Sequence, residues 1–208
     1  MSFELTMEDG KFLIKLARDT VETFLEVGQT LKTPKDTPQR LYGKYGVFVT
    51  INTLSKEGER ALRGCIGYPY PTSPLVEAVI ESAINAATED PRFPSMNFDE
   101  IDKCVFEVSV LTHPELIQVD NPKEYMQQIK VGQDGLIIER GYQKGLLLPQ
   151  VPVEWQWDTE EFLCQCCMKA GLPPDSWLTK GTEIYKFTAI IFGEQTPNGE
   201  IKRLNLNQ

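Results

Sequence analysis

Leu62-Arg63-Gly64-Cys65-Ile66-Gly67 lies downstream of Val47-Phe48-Val49-Thr50-Ile51-Asn52-Thr53, and the two stretches decide the fold. The earlier one alternates apolar and polar positions as a half-buried strand does, and the polar Ser55–Glu59 connection follows it. Residues 62–67 therefore read as the return strand of a hairpin. In a strand, alternation puts Arg63 and Cys65 on one face, roughly 6.5 Å apart along the chain. Leu62, Gly64 and Ile66 take the other face. Gly64 and Gly67 weaken a strand unless a backbone or a ligand approaches closely, so they mark either a site or a helix packed tightly over the sheet.

Working outward, Leu13, Leu16, Ala17, Thr20, Val21, Phe24 and Leu25 recur at helical spacing, predicting a helix from about Met7 to Val27 closed by Gly28. After the hairpin, Tyr68–Pro74 turns the chain, with Ser73 as N-cap and Pro74 at the first helical position. A helix follows from Leu75 to about Glu89, and Pro91 ends it. Cys104–Leu111 reads as a strand. The order then repeats. A short helix runs from Asn121-Pro122 to about Ile129, and a strand from Leu136 to Arg140. Gly141–Lys144 turns into a return strand, Gly145–Val151. A helix runs from Asp158 to Ala170, with Glu161 completing a capping box and Gly171 as the stop, and Ile184–Phe192 is the closing strand. Leu62 to Leu146 spans about 84 residues and Ser73 to Asp158 about 85, so the two rounds share one period. The expected class is α+β: one domain over residues 1–208, with pseudo-repeat halves at about 7–112 and 121–192. Each half reads helix-strand-strand-helix-strand around one mostly antiparallel sheet. In that register Leu62–Gly67 faces Leu146–Val151, small and polar residues against bulky ones, which points to a site in the first half.

Composition narrows the function classes. The chain has 208 residues, a net charge of −9 and five cysteines at scattered positions. An acidic surface argues against general nucleic-acid binding, though not against a local basic spot. An odd, dispersed cysteine set argues against a secreted disulfide framework. Met1–Gly10 is acidic and lacks a signal-peptide pattern, and no apolar run reaches the ~20 residues of a membrane span. The expected compartment is the cytoplasm, with reduced thiols.

Several stretches resemble the AMMECR family. They are Gly46-Val47-Phe48-Val49-Thr50, Leu62–Gly67, Glu89-Asp90-Pro91-Arg92-Phe93, Val108–Thr112, Asp134-Gly135-Leu136, Gly145–Gln150 and Lys169-Ala170-Gly171-Leu172-Pro173. They come in family order and cover nearly the whole chain. The resemblance implies an α+β fold with internal duplication around an antiparallel, barrel-like sheet. It supplies neither a reaction nor a cofactor. It does imply association with a Memo-type domain or a radical SAM protein, neither of which this chain carries.

The site candidates centre on the hexapeptide. A guanidinium can lower a thiol pKa, so Arg63 beside Cys65 suggests an activated nucleophile; a small buried Cys65 is the alternative. Arg63 suits a carboxylate or phosphate ligand, or else an internal partner such as Glu89 or Asp90. Glu89 and Asp90 oppose the dipole at a helix C-terminus, which either Arg92 or a site could offset. With Gly64 and Gly67 these complete the candidate set: Cys65 as catalytic residue, the others as ligand-binding. His113, the single histidine, precedes Pro114 and is set aside as a base. Cys164, Cys166 and Cys167 include a C-x-x-C spacing but lie mid-helix, so they read as core thiols and no metal site is assigned. Two functions remain open: a small-molecule or modified-residue site at Arg63 and Cys65, or a non-enzymatic interaction module.

Overall fold

A computed structural model describes residues 4–70 and 72–204. Pro71, inside the expected 68–74 turn, and Met1–Phe3 lie outside the described residues. The chain divides into two compact units: residues up to Leu111 with Ile190–Leu204, and Thr112–Ala189. The paired strands are antiparallel and combine with helices as the α+β reading expects.

In the first unit, α1 (Met7–Val27) begins at Thr6, whose hydroxyl accepts the Asp9 N–H while the Asp9 carboxylate accepts the Thr6 N–H. This reciprocal capping satisfies two backbone donors that a helix start otherwise leaves unpaired. Gly28 stops the helix with φ 70°, a conformation that a side chain would strain. β1 (Gly46–Leu54) pairs with β2 (Arg60–Tyr68), α2 (Leu75–Thr88) follows, and β3 (Cys104–Leu111) pairs with the other side of β1. Period-two alternation sends Val47, Val49, Ile51, Phe106, Val108 and Val110 into one core. The buried stripes of α1 (Leu13, Leu16, Ala17, Val21) and α2 (Val76, Val79, Ala83, Ala87) meet them there. Burying each large aliphatic contributes about 1.5–3 kcal/mol.

That core also holds an ion pair absent from the sequence reading. Arg18 on α1 donates to the Glu194 carboxylate at 2.8 and 2.6 Å, and to the Cys104 carbonyl at 2.7 Å. Glu194 also accepts the Phe106 N–H at 2.9 Å, and the guanidinium lies 4.6 Å from the centre of the Phe106 ring. Burial of this pair is tolerated because most of its hydrogen-bonding capacity is used.

In the second unit come β4 (Glu115–Leu116), α3 (Tyr125–Gln128), β5 (Asp134–Arg140), β6 (Gln143–Leu147), α4 (Gln150–Glu154), α5 (Thr159–Lys169) and β7 (Glu183–Glu194). β5 lies between β6 and β7, and β4 also pairs with β7. The last residues of β7 belong to the first unit, where Ile191–Glu194 pairs with β8 (Ile201–Leu204). The first unit runs α1-β1-β2-α2-β3, whereas the second places two helices, α4 and α5, between β6 and β7.

Three expectations need correction. The return strand predicted over Gly145–Val151 is shorter: β6 ends at Leu147, and Gln150 opens α4. Leu146–Val151 is therefore not a strand equivalent to Leu62–Gly67, and the side-chain asymmetry inferred from that comparison falls. Two glycines mark where helices press on these strands. A Cβ on Gly64 would overlap the Ala86 carbonyl of α2, and one on Gly145 would crowd the Cys166 carbonyl and Ala170 of α5. Each helix sits tightly on its return strand at one glycine. Pro74, rather than Ser73, caps α2, and no side chain accepts a hydrogen bond there. Finally, Asp158 accepts the Glu161 N–H at 2.8 Å, but Glu161 instead accepts from the Gln165 amide at 2.6 Å.

Candidate functional site

Among the described residues β2 is an edge strand of the first unit, with β1 alone beside it. The β1–β2 register slips between Ile51 and Asn52: Ile51 faces Gly64, Asn52 faces Leu62, and Arg63 is the extra residue of a bulge. A bulge re-aims the side chain it carries. Simple alternation from the sequence does not account for this. Arg63 reaches the 3-10 turn Phe98–Lys103, where Glu100 accepts from its Nε at 2.7 Å and its Nη2 at 3.1 Å. The Arg63 side chain is only 11% exposed, and its Nη1 is buried without a hydrogen bond.

Cys65 occupies the next ladder position. The Thr50 hydroxyl, directly opposite on β1, donates to its sulfur at 3.2 Å. Thr50 also faces Glu107 on β3, so the row Cys65–Thr50–Glu107 crosses three strands on the face turned away from Val49 and Ile51. Burial pushes the Cys65 thiol up, outweighing the Thr50 hydrogen bond and the attraction of Arg92. Arg92 supplies the attraction that partly offsets burial, and the net shift is upward, opposite to the acidification expected beside Arg63.

Asp90 joins the strand to the segment after α2. Its buried carboxylate accepts the Cys65 N–H at 2.9 Å, the Arg92 N–H at 3.1 Å, and the Arg92 guanidinium at 2.9 and 2.7 Å. These bonds, led by Arg92, hold the carboxyl at about 2. The Arg92 side chain remains 50% exposed. Its guanidinium lies 5.6 Å from the Phe93 ring centre, and that of Arg63 lies 5.9 Å from the same centre. Two guanidinium groups thus flank one half-buried ring, each with a single carboxylate partner. Such distances fit cation–π attraction.

The structure therefore brings Arg63, Cys65, Asp90 and Arg92 into one cluster. Glu89 is exposed and joins none of its hydrogen bonds or ion pairs. Gly64 meets the back of α2, and a Cβ on Gly67 would overlap the Val47 carbonyl and Phe48, so close backbone approach accounts for both glycines. Cys166 and Cys167 are fully buried in the second unit, with Cys166 donating to the Leu136 and Gly145 carbonyls. His113 is exposed, its Nδ1 3.3 Å from the Pro114 carbonyl. Sequence reading missed Thr50, Phe93 and Glu100 as partners. The Asn97-x-x-Glu100 spacing was the available signal for the last: the Asn97 N–H donates to Glu100 at 2.8 Å, fixing the carboxylate that Arg63 meets.

A family model described as AMMECR1 matches residues 14–192. The chain is 56% identical over 203 residues to Protein PH0010 of Pyrococcus horikoshii, covering 98% of each. It is 52% identical over 197 residues to Protein MJ0810 of Methanocaldococcus jannaschii, covering 95% of this chain and 96% of that one. The crystal structure of the uncharacterized protein PH0010 superposes with a TM-score of 0.93, covering 98% of this chain and 100% of that chain at 54% identity. Since the matched residues include the hairpin, the bulge and the Asp90–Phe93 segment, the cluster lies within the shared fold, and the chain belongs to the AMMECR1 family.

Proposed function

We propose that Arg63 and Arg92, flanking Phe93, form a binding site for a small anionic group, a carboxylate or a phosphate. Cys65 is a neutral contact in this site rather than an ionised nucleophile. The convergence of two guanidinium groups on one ring, in a chain of net charge −9, carries the reading. Arg92 offers exposed donors, and Nη1 of Arg63 is a further donor without a hydrogen bond. Asp90 and Glu100 orient the two cations and limit affinity for simple anions. No reaction is assigned, because the hydrogen-bond partner of the sulfur is a threonine hydroxyl and not a base. The protein acts in the cytoplasm, where its five free thiols stay reduced.

Phosphate and acetate titrations followed by amide NMR test this reading. Saturable shifts at residues 63–65 and 90–93 are expected. Arg92→Ala should abolish them with the circular dichroism spectrum unchanged, and Cys65→Ser should retain them. Equal shifts in wild type and Arg92→Ala would sink it.

A second reading, as a protein-interaction module, draws on the second unit. There Trp155 is 65% exposed and stacks on Trp157 with ring centres 6.1 Å apart. Exposed aromatic anchors are enriched at interfaces. A Memo-type or radical SAM protein is the partner implied by family association. Co-elution with a Memo-type protein, lost in Trp155→Ala, would favour this role, and independent elution would remove it.

A further inference from the structure

A groove of about 510 Å³ lies on the outer side of α2, in the first unit and apart from the two arginines. Its walls are the loop segment Thr30-Leu31-Lys32-Thr33 and the helix residues Glu77, Ile80, Glu81, Ile84 and Asn85. The volume falls within the roughly 300–1,000 Å³ of small-molecule sites. Helical spacing explains its two-sided chemistry. Ile80 and Ile84, four residues apart, join Leu31 as an apolar floor, while Glu77, Glu81 and Asn85 repeat at the same interval as a polar wall. Tyr68, immediately after the hexapeptide, anchors this wall: its hydroxyl donates to Glu81 at 2.7 Å and accepts from the Asn85 amide at 3.0 Å. The Glu77 side chain has no hydrogen bond or ion pair among the described residues. Lys32 contributes the single cation, so the groove carries one excess negative charge.

We propose that this groove binds a protonated amine attached to an apolar body of about six heavy atoms, such as an alkyl- or arylalkylammonium ion. The ammonium pairs with Glu77 and the free oxygen of Glu81, while the hydrocarbon rests on Leu31, Ile80 and Ile84. Burying such a body without a charge gives affinity but no selectivity. The carboxylates discriminate against the isosteric acid and alcohol, because an acid meets like charge and an alcohol gains no ion pair.

The test is titration of the full chain with hexylammonium, hexanoate and hexan-1-ol at low ionic strength, read by amide NMR. Hexylammonium should give saturable shifts at residues 30–33 and 77–85 and bind at least about tenfold more tightly than the other two. Glu77→Gln, at an exposed position, should weaken it about fivefold or more, and the distant Glu57→Gln should leave it unchanged. Lys32→Ala should strengthen it about twofold by removing the opposing charge. The proposal is overturned by hexan-1-ol binding as tightly as the amine, or by no saturation below about 10 mM. Weakening by Lys32→Ala would also overturn it, since removing a like charge cannot weaken a cation held by Glu77 and Glu81.

Discussion

The carboxylate of Asp90 accepts the backbone N–H of Cys65 at 2.9 Å, so the second residue after α2 closes a donor on the free edge of β2. Unpaired edge donors invite pairing with other chains. Here the donor is capped from within, and the same carboxylate holds Arg92 in place beside Phe93. One side chain thus couples strand position to guanidinium position.

Asp90 makes stability depend on acid. Its carboxyl sits at about 2 when folded, below an ordinary value of 3.8, so its contribution is complete above pH 4 and lost as pH falls towards 2. The half-exposed Arg92 leaves part of the attraction screened, giving an expected contribution of about 1–2 kcal/mol at pH 7. Urea titration of Asp90→Asn should show that loss at pH 7 and nearly none at pH 2. A constant difference across this range would contradict the assignment.

Gly64→Ala should destabilise the protein by about 1–3 kcal/mol, because its methyl group must push α2 off β2. The same exchange at Gly145 should behave alike through α5. Denaturant midpoints measure both, and an unchanged midpoint would show that the helices yield freely.

Glu194→Gln removes the buried counter-charge of Arg18 and leaves it only the more exposed Glu22 carboxylate at 3.6 Å, so a cost of up to about 3–5 kcal/mol is expected. The double exchange Arg18→Met with Glu194→Leu should cost less than the single one, since no charge is stranded. Thermal denaturation of both variants decides the order.

Alkylation by iodoacetamide, read by mass spectrometry, should begin at the half-buried Cys164 and proceed more slowly at Cys65. The Cys65 rate should still be climbing with pH at 9 rather than levelling off, because burial lifts its pKa. The fully buried Cys104, Cys166 and Cys167 should react on unfolding alone. Rapid labelling of Cys65 at pH 7 would restore the nucleophile reading.

Elements with strong local signals were legible. Apolar periodicity and Gly28 delimit α1, and alternation gives β1 and β3 with the observed ends of β3. The pairing of Asp90 with Arg92 was readable from proximity in the chain. The bulge at Arg63 was not, because an extra residue in a ladder arises from the register of two strands and leaves no mark on one. Arg18–Glu194 was hidden for a related reason: its members are 176 positions apart, and each alone reads as a surface charge. The Leu147–Gln150 break was misread because Leu146-Leu147-Leu148 suits a strand until Pro149 and Pro152 intervene.

β7 carries the chain back to the first unit, with a consequence for biosynthesis. A ribosome releases α1, β1, β2, α2 and β3 long before Glu194 is polymerised. Throughout that interval Arg18 has Glu22 on its own helix but lacks the buried carboxylate of Glu194. The first unit thus cannot lock until the chain has been made through Glu194, well after β3 has emerged.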